Sequence, residues 1–179
     1  ITYHDLYLKT RMALSSAGIE AAQLEAREIL CAAAEKTAEE LYRDISLYTT
    51  DAIAEKTEAL QARRLAGEPI AYLLGEWSFC GLPFFVSPAA LIPRVDTEML
   101  AQLAMNRLKE HPGHTRILDL CAGTGCVGLT AAALLKNTRA VLVDLSDGAL
   151  DLCKRNIRRH KLTGRAVSLK GDALQAPSH

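Results

Sequence analysis

The stretch that decides the fold of this chain reads Ile117-Leu-Asp-Leu-Cys-Ala-Gly-Thr-Gly-Cys-Val-Gly128. Its apolar start predicts a strand over residues 116–121, and the glycine-containing turn leads into a predicted helix over residues 127–135. A second predicted strand, over 140–145, contains Asp144. Glycines let the backbone turn tightly and let a ligand approach without a Cβ in the way, and a carboxylate at a strand end can accept both hydroxyls of a ribose. This unit therefore predicts a site for a nucleoside-bearing cofactor.

The sequence on either side of this unit continues the alternation of strands and helices. Helices are predicted over 93–111 and 146–161, and a third strand over 165–170. We expect Asp96 to cap the first of these helices. Strands that alternate with helices at this spacing favour a parallel, doubly wound sheet, so the fold class is α/β with a partial Rossmann-like domain.

The N-terminal part has a different pattern. Apolar residues recur at three- to four-residue spacing through 3–66, which predicts a small helical bundle. Two aromatic-rich runs around Cys80-Gly81-Leu82 then predict a β-hairpin. The predicted domains are a helical bundle over 1–74, a β-hairpin linker over 75–92 and an α/β region over 93–179.

Composition narrows the class of protein. Lys plus Arg and Asp plus Glu both total 21 in 179 residues, so net charge favours neither nucleic acid nor a membrane as the main partner. Five scattered cysteines without a C-x-x-C pair indicate free thiols in a reducing cytoplasm, and five histidines without ligand spacing indicate no metal site. The chain begins at Ile1 and ends soon after the third strand, so we expect a fragment.

The identity of the cofactor has two interpretations. Gly123, Gly125 and Gly128 satisfy G-x-G-x-x-G, and Asp144 follows about 20 residues later, as in dinucleotide sites. Asp119 argues against a dinucleotide, because its carboxylate would repel a pyrophosphate on the loop but suits the ammonium group of S-adenosylmethionine. Charge therefore favours S-adenosylmethionine, and an NAD-dependent oxidoreductase stays the alternative from another class.

Three further blocks carry a family resemblance, and they read Gly67-Glu-Pro-Ile-Ala-Tyr-Leu-Leu-Gly75, Phe79-x-Gly-Leu-x-Phe-x-Val-x-Pro88 and Leu91-Ile-Pro-Arg-Val-Asp-Thr-Glu98. They closely resemble the glutamine N5-methyltransferases (HemK/PrmC-like proteins) that modify the Gly-Gly-Gln loop of class 1 peptide chain release factors. The resemblance covers nearly the whole chain. It implies a cytoplasmic enzyme that transfers a methyl group from S-adenosylmethionine to a protein glutamine, with residues 1–74 docking the release factor.

Site residues follow from the loop and from the resemblance. The loop 121–125 would surround the methionine part of the cofactor, Asp144 would hold the ribose, and Asp172 with Ala173 would lie by the adenine. The family usually has glycine at Cys121 and a bulkier residue at Ala173. The predicted cofactor residues are Asp119, Cys121, Ala122, Gly123, Thr124, Gly125, Asp144, Asp172 and Ala173, and the possible pocket residues are Arg94, Thr97 and Glu98.

The catalytic signature of the family, Asn-Pro-Pro-Tyr, does not occur in this sequence. We therefore assign no catalytic residue and expect the fragment to be inactive or nearly so. A ribosomal-protein glutamine or a nucleic-acid adenine remains an alternative substrate, and the isolated fragment could act as a binding module. The expected partner is a class 1 release factor, with no membrane and no required nucleic acid. A basic cluster over 154–165 indicates a helix C-terminus and a solvated face, or else contact with ribosomal RNA or an acidic partner.

Overall fold

The computed structural model describes residues 1–175. The last four positions, 176–179, on which the end of the predicted 93–179 domain falls, lie outside the described residues. The described chain divides into two compact units, one from Ile1 to Leu74 and one that begins at Gly75.

The first unit, every residue of which is described, is helical. Two of its helices begin with capping boxes, at Thr2 and at Thr37. Each threonine side chain accepts a hydrogen bond from the backbone N–H three residues later, and the carboxylate of that later residue accepts one from the backbone N–H of the threonine. The structure adds a short helix after Pro69 to those that the sequence pattern predicts. The helices are α1 Tyr3–Ser16, α2 Ala22–Ala34, α3 Ala38–Arg43, α4 Asp51–Leu65 and α5 Ile70–Leu74.

The second unit begins with a hairpin and continues as alternating strands and helices. The predicted cap at Asp96 is wrong: Arg94 occupies the N-cap without a side-chain bond, and Asp96 lies in the first helical turn, where the helix dipole favours a carboxylate. The elements are β1 Glu76–Phe79, β2 Leu82–Phe85, α6 Val95–Lys109, β3 Thr115–Leu120, α7 Cys126–Leu134, β4 Thr138–Asp144, α8 Asp147–Arg159 and β5 Ala166–Lys170.

The α/β fold class is confirmed by a parallel sheet of order β3-β4-β5. Its central strand buries Ala140 and Leu142 against Leu129 of α7 and Ile157 of α8. Because the three strands run in parallel, their carboxyl ends lie at one edge of the sheet, and the glycine loop begins there after β3. Within residues 1–175, no helix combines the length and the apolar composition needed to cross a membrane.

Candidate cofactor-binding site

The loop between β3 and α7 has an unusual backbone. Cys121, Gly123 and Gly125 adopt left-handed φ angles of 58°, 56° and 78°. At Gly125 a Cβ would lie 2.9 Å from Leu142 Cδ1 and 3.0 Å from Leu129 Cδ1, so a side chain is excluded there by packing as well as by φ. Cys121 is exposed, and it adopts the left-handed conformation with a Cβ in place. The loop is therefore a tight, glycine-dependent turn that brings backbone to the sheet edge.

Asp119 lies under this loop, near the end of β3. Its Oδ2 accepts a hydrogen bond of 2.8 Å from the backbone N–H of Gly128, the third residue of α7. Burial raises the pKa of Asp119, the Gly128 bond opposes that shift, and the nearby charge of Asp144 adds to it. The N-terminus of α7 consequently already has a protein carboxylate on one of its free N–H groups.

Asp144 ends the neighbouring strand and faces the same loop. Its Oδ2 accepts a hydrogen bond of 2.8 Å from Gly123 N, and its Oδ1 accepts one of 3.0 Å from Ser146 N. A carboxylate offers about four lone-pair positions, so each oxygen retains one for a ligand hydroxyl. Asp144 therefore both fastens the glycine loop and can accept hydrogen bonds from a ligand.

Two residues of α8 hold the other side of the loop, and the sequence reasoning missed both. Cys153 Sγ donates to Gly123 O at 3.2 Å, and Asn156 Nδ2 donates to Thr124 O at 2.9 Å. Both side chains are fully buried, and they lie three residues apart on one face of the helix. The sequence could have indicated them through their position on the buried face of an amphipathic helix. By itself, that position indicates core packing rather than a binding site.

The segment that follows the hairpin lies against the loop as well. A Cβ added at Gly123 would come within 3.7 Å of Ala90 Cβ, and one added at Gly148 within 2.9 Å of Ala89 Cβ. The residues after β2 therefore form a wall beside the glycine loop and beside the first turn of α8.

The predicted adenine residues follow β5. Gly171 N donates to Asp144 O at 3.1 Å, so the chain leaving β5 is held at the end of β4. Asp172 Oδ1 accepts a hydrogen bond of 2.9 Å from Leu174 N, which makes a local turn, and Ala173 is exposed. The structure therefore brings Asp172 near the sheet edge with part of its carboxylate used by its own turn.

The predicted pocket residues belong to the start of α6. Glu98 Oε1 accepts a hydrogen bond of 2.7 Å from Cys80 N, at the turn of the hairpin. Thr97 N donates to Arg94 O at 3.0 Å in the first turn of the helix, and the Arg94 side chain is exposed. The carboxylate of Glu98 is thus bonded to the hairpin, whereas the Asp119 and Asp144 carboxylates bond the glycine loop and α7.

The basic cluster over 154–165 makes several contacts inside the second unit. Arg165 Nη1 lies 2.7 to 3.3 Å from four backbone carbonyl oxygens around the end of α7 and the start of β4, which share its two N–H groups. Arg159 pairs with Glu76 at 2.6 Å and, like Arg155, lies over the ring of Phe85. These contacts give much of the cluster a structural role.

The thiols and acidic residues offer no metal site among the residues that the structure describes. Burial raises the pKa of Cys126 to about 11 and that of Cys153 to about 12, so both remain protonated at neutral pH. The loop instead offers carboxylates, which accept hydrogen bonds, and backbone N–H groups, which donate them. This combination suits a ligand that carries hydroxyls and a positive charge.

Comparisons with known proteins show what both parts of the chain resemble. Residues 5–75 match the PrmC N-terminal domain, and residues 94–178 match the methyltransferase small domain. The release factor glutamine methyltransferase of Nitratidesulfovibrio vulgaris is 35% identical over 176 residues, which cover 96% of this chain and 57% of that protein. Over nearly its whole length the chain is therefore similar to release factor glutamine methyltransferases.

Two further proteins of this name show a similar relation to the chain. The proteins of the same name from Geobacter sulfurreducens and Escherichia coli K12 are 36% and 47% identical over 168 and 107 residues. These alignments cover 94% and 60% of this chain, and 57% and 38% of the two relatives. The alignments thus span between 38% and 57% of the length of these three relatives. Among solved structures, a human methyltransferase 10 domain containing protein is 20% identical, with a TM-score of 0.44 over 51% of this chain and 46% of that chain.

Proposed function

We propose that this chain is the part of a protein-glutamine N5-methyltransferase that binds S-adenosylmethionine, the methyl donor. We propose as substrate the glutamine of the Gly-Gly-Gln loop in class 1 peptide chain release factors. The substrate follows from the names of the relatives, and the methyl donor is argued from the residues of the glycine loop.

The observation that carries the choice of cofactor is the hydrogen bond from Gly128 N to Asp119. In a dinucleotide site the pyrophosphate binds the free N–H groups at the helix N-terminus, where backbone donors and the helix dipole favour negative charge. Here the Asp119 carboxylate already accepts the hydrogen bond from Gly128 N. A pyrophosphate bound at this helix N-terminus would therefore lie close to the negative charge of Asp119. A cofactor that carries an ammonium group instead gains from the same charge.

Each residue of the site has a role in this proposal. Asp144 accepts hydrogen bonds from the ribose hydroxyls, Asp119 favours the ammonium group directly or through water, and residues 121–125 contact the methionine part. Asp172 and Ala173 lie by the adenine. When bound, S-adenosylmethionine supplies a methyl group on a positively charged sulfur.

The proposal also assigns a role to each region of the chain and a cellular compartment to the protein. We assign residues 1–74 to docking of the release factor, residues 75–92 to a hairpin linker and the rest to the methyltransferase domain, with Arg94, Thr97 and Glu98 near its pocket. Five free cysteines support a reducing compartment such as the cytoplasm.

Calorimetric titration of the chain tests the cofactor. S-adenosylmethionine and S-adenosylhomocysteine should bind more tightly than NAD. Asp144→Asn, which keeps one acceptor for the loop but loses the charge, should weaken S-adenosylhomocysteine binding by about 1.5–3 kcal/mol, the value of a hydrogen bond to a charged group. Tighter binding of NAD than of S-adenosylmethionine would overturn the proposal.

Methyl transfer by the whole protein tests the substrate. A release factor should receive label from methyl-labelled S-adenosylmethionine, and the same factor with its Gly-Gly-Gln glutamine changed to alanine should receive none. Equal labelling of both factors would contradict the proposed substrate.

A further inference from the structure

Asn156 joins two parts of the second unit that are far apart in sequence. Its Oδ1 accepts a hydrogen bond of 2.8 Å from Phe85 N, and its Nδ2 donates to Phe85 O at 3.1 Å and to Thr124 O at 2.9 Å. The side chain is fully buried. The amide therefore spans from the last residue of β2 to the middle of the glycine loop.

Only an amide can make this set of bonds. One backbone N–H and two backbone carbonyls converge on the side chain, so it must supply one acceptor and two donors. A carboxylate of the same shape would place an oxygen where the Nδ2 group lies. That oxygen cannot donate a hydrogen bond to either carbonyl. The convergence also fixes the orientation of the amide, because the reversed orientation would leave all three bonds unmade.

The two carbonyls held by α8 determine which way the glycine loop faces. Cys153 holds Gly123 O and Asn156 holds Thr124 O. In a trans peptide the N–H points opposite to the C=O, and the chain has no cis peptide bond among its described residues, so the N–H groups of Thr124 and Gly125 point away from α8. The bond from Asn156 thus orients the peptide plane whose N–H, that of Gly125, donates to Ala122 O at 2.7 Å and closes the turn of the loop.

The same side chain also holds the wall beside the loop. Phe85, whose backbone N–H and C=O both bond Asn156, is followed within five residues by Ala90, the residue that lies against Gly123. The loop and this wall therefore share one buried anchor.

We propose that Asn156 is a positioning residue of the cofactor site, which holds the glycine loop and the post-hairpin wall in the arrangement that binds S-adenosylmethionine. The role in cofactor binding rests on the proposed function above; the hold on the loop does not. Asn156 acts through the backbone of Thr124 and Phe85.

The test compares Asn156→Asp, which keeps the shape and loses both donors, with two control variants. Leu162→Ala removes a fully buried side chain from the same core, and Asn106→Asp makes the same chemical change at an exposed position of α6. Affinity for S-adenosylhomocysteine is measured by calorimetry, and amide hydrogen exchange is followed for Gly123 and Gly125, under conditions in which all variants are folded.

In Asn156→Asp the affinity should fall about tenfold or more, and the two loop amides should exchange about tenfold faster or more than in the control variants. Leu162→Ala should lower global stability yet keep the affinity, and Asn106→Asp should change neither. Loop exchange and affinity in Asn156→Asp that match those of Leu162→Ala would overturn the inference. If the unmodified chain fails to bind S-adenosylhomocysteine, the proposed function falls, and the loop exchange still decides whether Asn156 holds the loop. If Asn156→Asp does not fold, Asn156→Ala replaces it in the same comparison.

Discussion

Gly128→Ala tests the packing of α7 against the sheet. An added Cβ at position 128 would lie 2.6 Å from Leu142 Cδ2 and 3.2 Å from both Cβ and Oδ2 of Asp119. Carbon atoms in contact prefer about 3.5–4.0 Å, so the first of these distances is about 1 Å too short. Leu142 is fully buried in the central strand, and one of its methyl groups already limits the space at Gly125. Relief therefore requires that the buried Leu142 side chain repack or that α7 move away from β4.

The magnitude follows from three opposing effects. Forcing an extra carbon into a packed core costs about 1–3 kcal/mol, whereas alanine gains about 1 kcal/mol over glycine in a helix. Movement of α7 also stretches the bond from Gly128 N to Asp119, and an unsatisfied buried group costs about 1–3 kcal/mol. We expect the free energy of unfolding to fall by about 1–5 kcal/mol.

Urea unfolding followed by tryptophan fluorescence measures this change, because Trp77, the only tryptophan, lies in the second unit. Gly164→Ala is the matched control: its Cβ would meet no atom within 4 Å, so this variant should be as stable as the parent or slightly more so. Equal stability of Gly128→Ala and Gly164→Ala would refute the argument that close packing of α7 requires glycine at position 128.

Two further predictions concern strain and pH. Cys121→Gly should raise the free energy of unfolding by up to about 1 kcal/mol, because glycine adopts the left-handed φ of 58° without the steric penalty of a Cβ. Cys121→Ala keeps that penalty and is the control. An equal gain for both variants in urea unfolding would contradict the prediction. Burial lowers the pKa of His160 below its ordinary 6.5, so the unfolded chain takes up the proton first. The contribution of His160 to stability should therefore be present above about pH 6.5 and be lost as the pH falls towards its folded pKa. His160→Gln should remove that part of the decline in the free energy of unfolding measured across this range, and an unchanged profile would contradict the assignment.

The candidate site shows what local patterns can and cannot predict. Short segments of sequence contain the apolar strand before Gly123, the glycine spacing and the strand-terminal Asp144. Each of these segments predicts its local structure without reference to the rest of the chain. Glu98 was expected near the cofactor pocket, and its bond to Cys80 depends on a hairpin that lies 18 residues earlier. Nothing within one segment specifies such a partner.

The sequence by itself determined that residues 117–144 form a strand, a glycine turn, a helix and a strand, because propensity and periodicity act over a few neighbouring residues. Blocks such as Leu91 to Glu98 also carry the resemblance to the release factor glutamine methyltransferases. Only the tertiary structure decided that the Asp119 carboxylate takes a helix N-terminal N–H, and that Asn156 bonds both Thr124 and Phe85, 32 and 71 residues away. The physical reason is that buried polar groups must find partners, and the folded chain, rather than the neighbouring sequence, determines which partners lie within reach.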